Sequence, residues 1–287
     1  MFFPQPHQPI VEHCLMRAAA EGLDHPEGLA VDGGGVLWAG GEAGQLYRIR
    51  EGRVETVAQL GGFCLGITLA PSGEIVVCNS GLHALQFVSR DGQVRRTVTE
   101  VGGRRLQTPN FSVFDKDGNL YFSDSGSWSG SDGHLYVIRR AGEAEHFAGP
   151  FHFPNGLSLH RECDALFVVE SQRDRVLRIA ITGEGRAGEQ SVYAEGLSRI
   201  PDGMAFDEAG NLFVTCYATD CIYRVSPHGE VKLFAYDPEG TILARPTNVA
   251  FGGPDRRTIF VANLGRWHLT AIPSEHAGML LAGQKRA

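Results

Sequence analysis

A single pattern recurs six times along this chain and decides what it can fold into. Its clearest copy, LSRIPDGMAFDEAGNLFVTC, runs from Leu197 to Cys216. It reads as a turn on a proline, a polar residue where a strand begins (Asp202), an apolar strand, a tight turn on Glu208-Ala209-Gly210-Asn211 and a second strand from Leu212 to Cys216. PEGLAVDGGG from Pro26, CLGITLAPSG from Cys64, PNFSVFDKDG from Pro109, PNGLSLHREC from Pro154 and PTNVAFGGPD from Pro246 repeat it. Successive copies lie roughly 40 to 50 residues apart, room for four short strands each, which is the period of a β-propeller blade. The expectation is an all-β, six-bladed propeller of four-stranded antiparallel blades.

Within the first unit the strands, lettered A to D from the axis outward, are expected at Gly28 to Val31, Val36 to Ala39, Gln45 to Arg50 and Val54 to Leu60. The last unit supplies A at Asn248 to Phe251, B at Thr258 to Ala262 and C at His268 to Ile272, but SEHAGMLLAG after them is weak as a fourth strand. The N-terminal segment Pro9 to Arg17 has the apolar content of a D strand. It is expected to complete the last blade, which joins the chain ends and removes an open sheet edge. Continuous repeats leave no linker, so residues 1–287 are expected to form a single domain. Glycine, at 37 of 287 residues, exceeds the usual share of about 7% as a fold of many tight turns requires.

Net charge is −7, from 26 Lys and Arg against 33 Asp and Glu, with no basic cluster or acidic run. No nucleic acid and no membrane partner is expected, since both select for a Lys/Arg face. The opening MFFPQPHQPIVEHCL has no basic region followed by an apolar one, and no run of about 18 apolar residues occurs. A soluble, cytoplasmic protein is expected, a monomer or a small homo-oligomer. Cys14, Cys64, Cys78, Cys163, Cys216 and Cys221 are scattered without a CxxC pair, which reads as reduced, half-buried thiols rather than a disulfide frame. Cys216 and Cys221 flank one loop. P-loop, Rossmann and correctly spaced G-x-S-x-G signatures are all missing, and the sequon Asn110-Phe111-Ser112 would point into the channel.

In an up-and-down blade, the turn entering strand A and the turn between B and C share one face. The residue after the proline, or its equivalent, therefore converges on the axis in every unit: Glu27, Leu65, Asn110, Asn155, Asp202 and Thr247. Two carboxylates and two carboxamides facing one axis repel or lack partners, and a divalent cation compensates both. An all-oxygen set suits Ca²⁺, Mg²⁺ or Mn²⁺, with Zn²⁺ or Fe²⁺ left open by ligand type. Asn and Asp at a strand entry are also ordinary turn formers; four equivalent copies favour the metal.

HPEGLAVD, FPNGLSLH and IPDGMAFDEAGNLFV, with TPNFSVFDKDGNLYFSDSG close behind, resemble the senescence marker protein (regucalcin)/gluconolactonase/luciferin-regenerating enzyme family of six-bladed propellers, over nearly the whole chain. That resemblance implies one divalent metal ion, calcium first, held by Glu27, Asn155 and Asp202, with Asn110 beside it touching substrate or a bound water. It also implies a small-molecule lactone or ester substrate, because members hydrolyse sugar lactones and related propellers hydrolyse organophosphates at a similarly placed calcium. Many members follow the third-blade Asn with Asp, and some carry an Arg two residues before it. Here Phe111 and Thr108 stand in those places, making the pocket less charged and pointing to a more apolar lactone or ester.

The B–C turns form the rest of the rim. The longest, SDSGSWSGSDGH, surrounds Trp128 with Gly and Ser, which suits either a lid over a ligand or a solvated loop whose Trp packs on a neighbouring blade. His83 and Asp124 fall on the same face as further substrate-side candidates, although a turn His is commonly a surface residue and an Asp a turn former. The expected chemistry is metal-assisted hydrolysis in which the cation polarises the carbonyl and Asp202 serves as the base. Three other readings compete: an organophosphate-hydrolysing propeller, a non-catalytic calcium-binding or ligand-binding propeller, and a metal-independent condensing propeller of the strictosidine synthase type, which the presence of Glu27, Asn155 and Asp202 disfavours.

Overall fold

The computed structural model describes residues 8–160, 164–183 and 185–282. It is a six-bladed propeller in which each blade is a four-stranded antiparallel sheet. Blade 1 comprises Leu29–Val31, Leu37–Gly40, Gln45–Arg50 and Arg53–Gln59. Blade 5, built from the clearest sequence copy, comprises Pro201–Phe206, Leu212–Cys216, Cys221–Val225 and Val231–Tyr236. A short hairpin, Glu100–Val101 with Arg104–Arg105, links blades 2 and 3. No helix among the described residues is long and apolar enough to cross a membrane.

The A–B hairpins form where the sequence places Asp at the end of strand A and Gly in the turn. Asp32 Oδ1 accepts the backbone N–H groups of Gly34 and Val36 at 2.9 and 3.0 Å, and Asp115 and Asp207 do the same for Asn119 and Asn211 at 2.8 Å. A short carboxylate thereby takes the hydrogen bonds that a continued strand would have made. The turn closes through left-handed glycines at Gly35, Gly118 and Gly210. Between neighbouring blades the side chains meet in six separate apolar clusters, one per junction. The core is a ring of wedges around the axis rather than a single ball.

The sixth blade, Pro246–Gly252, Thr258–Asn263 and His268–Pro273, takes its fourth strand from the N-terminal part of the chain. That strand is Arg17–Glu21, displaced from the expected Pro9 to Arg17. The apolar residues that suggested a strand serve another purpose: Val11 and Met16 bury against Phe213, Phe234, Phe251 and Ile272 between blades 5 and 6. Ile10 and Val11 donate their N–H groups to Leu233 and Phe234 of blade 5, at 3.1 and 2.9 Å. The closing strand is RAAAE, whose small Ala20 fits the blade 6 to blade 1 wedge. The cysteines also differ from expectation, for Cys64, Cys78, Cys216 and Cys221 are fully buried free thiols, Cys14 is exposed, and Cys163 lies outside the described residues.

Candidate metal centre

One end of the channel collects the first residues of the A strands. Glu27, Asn110, Asn155, Asp202 and Thr247 are all buried there, as is Leu65. Glycine makes this convergence sterically feasible. A Cβ on Gly28 would lie 1.9 Å from the Leu65 carbonyl oxygen, on Gly66 2.6 Å from that of Asn110, on Gly156 2.4 Å from that of Asp202 and on Gly203 2.5 Å from that of Thr247. Only a residue without Cβ lets adjacent A strands approach so closely. Hydroxyls then fix the carbonyls: Ser125 donates to Pro154, Ser171 to Pro201, Thr215 to Thr247 and Thr247 to Glu27, at 2.7, 2.6, 3.0 and 2.8 Å.

Backbone strain marks the same positions. His25, Phe153 and Ile200 are left-handed, with φ of 40, 56 and 60°, and each stands immediately before a proline, two residues ahead of Glu27, Asn155 and Asp202. A residue preceding proline is normally pushed to the extended region, and a β-branched residue at positive φ is an outlier. Such a conformation costs about 1–3 kcal/mol and persists only where surrounding contacts impose it. At Ile200 the contact is Asp174, whose Oδ1 accepts the Ile200 N–H at 3.0 Å.

The electrostatics of the ring are those of a cation site. Asn110 Nδ2 donates to Ser125 Oγ at 3.0 Å and Asn155 Nδ2 to Ser171 Oγ at 3.3 Å. Both Oδ1 atoms are buried without a hydrogen-bond partner. Burial, and next the neighbouring Asp202 charge, push the Glu27 carboxyl well above the usual range. Asp202 is pushed up to about 8 by burial, against a hydrogen bond from Asn155 that opposes the shift. Two desolvated carboxyls beside two orphaned amide oxygens are relieved by protonation, the direction of both shifts, or by a bound cation, which also partners the amide oxygens. The residues present therefore fit a hard divalent cation.

A different group, Asp24, His25 and Glu42, brings its ligand atoms within 4.8 Å of one another on the rim. Its central carboxylate, however, is already taken by Gln45 Nε2 and the Ala43 N–H, at 3.0 and 3.2 Å. One orphaned oxygen, Gln45 Oε1, lies beside this group, whereas the axis brings two, from Asn110 and Asn155, together with two buried carboxylates.

Of the four residues expected to meet substrate, Asn110 belongs to the axial ring and the others lie on the rim above it. Asp124 is buried, and its carboxylate accepts the N–H groups of Gln107 and Thr108. Asn79, Glu170 and Asn263 perform the same task in blades 2, 4 and 6, accepting from Phe63, His152 and Ala244 at 3.2, 2.7 and 3.0 Å. The ring of His83 hydrogen-bonds the Gln107 carbonyl. Trp128, 49% exposed, sets its ring edgewise on Phe153 at the entry of blade 4, centroids 4.7 Å apart. These contacts belong to a recurring clasp in which a B–C turn grips the next blade's entry: Asp220 accepts the Arg245 N–H, and Trp267 packs on His25.

Reading one residue per repeat finds the ring but misses its supports. Ser125 and Ser171 orient the two amides, and the signal for them is a hydroxyl just beyond the end of strand B in SDSG and VESQ. The glycine after the axial position, in PEG, PNG and PDG, is a second signal of close approach.

The family model described as "SMP-30/Gluconolactonase/LRE-like region" matches residues 25–264. The adipocyte plasma membrane-associated protein of Rattus norvegicus is 26% identical over 222 residues, covering 67% of this chain and 58% of that protein. The chain thus spans little more than half the length of that relative. The 6-deoxy-6-sulfogluconolactonase of Pseudomonas putida is 27% identical over 239 residues, covering 79% of this chain and 78% of that one. Among solved structures, a gluconolactonase from Xanthomonas campestris superposes with a TM-score of 0.80 at 20% identity, covering 92% of this chain and 94% of the other.

Proposed function

The chain belongs to the SMP-30/gluconolactonase/LRE-like family, and from that premise we propose that it is a divalent-metal-dependent hydrolase that opens a lactone. The observation that carries this reading is the pair of orphaned amide oxygens set among two buried carboxylates. Glu27, Asn155 and Asp202 hold the ion, calcium first among the candidates. When bound, such a cation polarises the ester carbonyl and stabilises the developing oxyanion, an effect worth several kcal/mol. Asn110 adjoins it and meets the substrate.

Asp202 serves as the base. With the ion bound its carboxylate is held deprotonated, the form that can take the proton of an attacking water and return it to the departing ring oxygen. Ser171 holds the backbone just before Asp202, so the base does not have to find its position during the reaction. Phe111 packs on the blade 3–4 core and lines an apolar cavity, and the Thr108 hydroxyl donates to the Gly126 carbonyl at 2.9 Å, so neither adds beside Asn110 the charge that a polyhydroxylated substrate would exploit. A more apolar lactone or ester follows, with Trp128 and Phe153 as an apolar wall and with His83 and Asp124 acting through the Gln107–Thr108 segment.

The test is a pH-stat assay on a panel of sugar and alkyl lactones, with chelator and after re-addition of single divalent metals. Acid release that stops with chelator and returns with one metal is the expected result. The Asp202→Asn variant is expected to lose turnover; full turnover in a variant that still binds metal would remove Asp202 from the base role. Tight metal binding with neither lactones nor phosphotriesters opened would leave a binding platform instead.

A further inference from the structure

Cys216 ends the second strand of blade 5 and Cys221 begins the third, and the two are direct partners across the hairpin. Both are free thiols, 0% and 1% exposed. The residues between them form one tight turn, Tyr217–Thr219 followed by Asp220 in the left-handed conformation. Opposed residues on antiparallel strands have Cα atoms roughly 4.5–5.5 Å apart, inside the span of roughly 4.4–6.8 Å that a disulfide bridges. Directly opposed residues on antiparallel strands send their side chains to the same face of the sheet, and both thiols lie in the core cluster between blades 4 and 5. The Thr219 hydroxyl is 3.2 Å from Cys221 Sγ.

Donors gathered on one sulfur favour its thiolate, the nucleophilic form. They hold the Cys221 thiol below its ordinary range, the Cys216 hydrogen bond contributing most, whereas burial raises Cys216. The neighbouring carboxylates, Asp220 toward Cys221 and Asp174 toward Cys216, act in the opposite sense to those donors. Among the described residues the other buried thiols are not opposed to a cysteine, Cys64 lying opposite Asn79 and Cys78 opposite Leu85.

We propose that Cys216 and Cys221 form a redox-active dithiol that a small two-electron oxidant of the hydroperoxide class converts to a disulfide. With hydrogen peroxide, the Cys221 thiolate attacks one peroxide oxygen, the O–O bond breaks, and hydroxide leaves to be protonated to water. Cys221 is then a sulfenic acid. The Cys216 sulfur displaces the sulfenic oxygen as a second water and the S–S bond forms. Two thiols and one peroxide give one disulfide and two waters, the sulfurs losing two electrons and the peroxide oxygens gaining them. The bond would fasten the turn whose Tyr217 and Asp220 grip Arg245 at the entry of blade 6.

The test exposes the intact, full-length chain to a modest excess of hydrogen peroxide, alkylates the remaining thiols under denaturing conditions and maps the peptides. The expected result is a Cys216–Cys221 link with a loss of about 2 Da, reversed by dithiothreitol, while Cys64 and Cys78 stay alkylatable. In Cys216→Ser the link cannot form, and Cys221 is expected to gain about 16 Da as a sulfenic acid trappable by dimedone. The proposal is overturned if both thiols survive a dose that oxidises the exposed Cys14, or if Cys221 passes to sulfinic acid with Cys216 still free. The wild-type map decides by itself should the serine variant fail to fold.

Discussion

The two ends of the axial channel are made by the same strands with opposite chemistry. At the entry end, the first residues of the A strands place Glu27, Asn110, Asn155, Asp202 and Thr247 together, buried and in part unpartnered. A few residues farther along those strands the channel is lined by Leu29, Val31, Leu69, Phe206 and Phe251, and Met279 and Leu281 of the C-terminal segment lie against them. That segment is pinned there: the Met279 N–H donates to the Phe206 carbonyl and the Ala277 carbonyl accepts the Glu208 N–H, at 2.9 and 2.8 Å. The apolar end contributes stability by burial; the polar end spends it on desolvated carboxylates and left-handed backbone. One repeat thus separates its tasks along a single strand.

The largest expected effect breaks the polar end. Glu27→Gln removes one of two buried carboxylates, so calorimetric titration with calcium, magnesium and manganese should lose its binding signal and metal-dependent turnover should vanish. The metal-free variant should nevertheless melt at higher temperature than the metal-free wild type, because a charge that burial disfavours has gone. Phe206→Ala inverts both outcomes. Phe206 is buried between blades 4 and 5, and its truncation should lower unfolding free energy by about 3–5 kcal/mol in urea while leaving metal affinity unchanged. A shift of metal affinity in Phe206→Ala would show that the two ends are coupled.

A smaller effect separates the ends by pH. In the folded, metal-free chain the pKa values of Glu27 and Asp202 lie above their unfolded values of about 4, so the folded state binds more protons than the unfolded state above that pH. Their contribution is complete below pH of about 4 and falls as pH rises toward the Asp202 value of about 8. Asp237 behaves oppositely. Burial acts to raise it, but the N–H groups of Ile242 and Leu243 prevail and hold it at about 2, so its contribution is complete above the unfolded value and is lost as pH falls toward 2. With chelator, stability measured by urea unfolding should therefore decline from pH 5 to pH 8. A saturating divalent metal should flatten that slope, because its ligands are then deprotonated in the folded state as they already are in the unfolded state above about pH 5, and should add about 2.7 kcal/mol at a hundredfold excess over Kd. A chelated protein that gained stability over this range would contradict the raised carboxylates.

The repeat was legible because its signals are local. Turn chemistry at Asp32, Asp115 and Asp207 acts within four residues of the carboxylate, and the strands of blade 1 stand within a residue of where the alternation places them. The axial ring was legible for a related reason: symmetry sends equivalent positions to one place, so a single column of six residues could be read without any long-range prediction. The closing strand was misplaced because hydrophobicity does not say which surface is to be covered. Val11 and Met16 are apolar for the gap between blades 5 and 6, whereas Arg17–Glu21 is a strand made mostly of alanine. Side-chain direction in the turns was likewise hidden. Asp124 and His83 face the Gln107–Thr108 entry through contacts between segments that no period encodes.

The finest test divides the polar end itself. Ser171 and Ser125 do the same work on different amides: each accepts from an Asn Nδ2 and donates to the backbone carbonyl of a proline at the next blade's entry. If Asn155 is a ligand, Ser171→Ala should weaken metal binding roughly tenfold, about 1.4 kcal/mol, since partners that orient a metal ligand are commonly worth 10–100-fold. If Asn110 meets substrate instead, Ser125→Ala should raise KM and cost less metal affinity than Ser171→Ala, its one route to the ion being the Pro154 carbonyl it releases just before Asn155. Equal losses of metal affinity in the two variants would make Asn110 a fourth ligand, and a loss in neither would mean that the amides are turn formers after all. The comparison needs no assumption about which lactone is opened, because calorimetry on the two variants reads the ligand set directly.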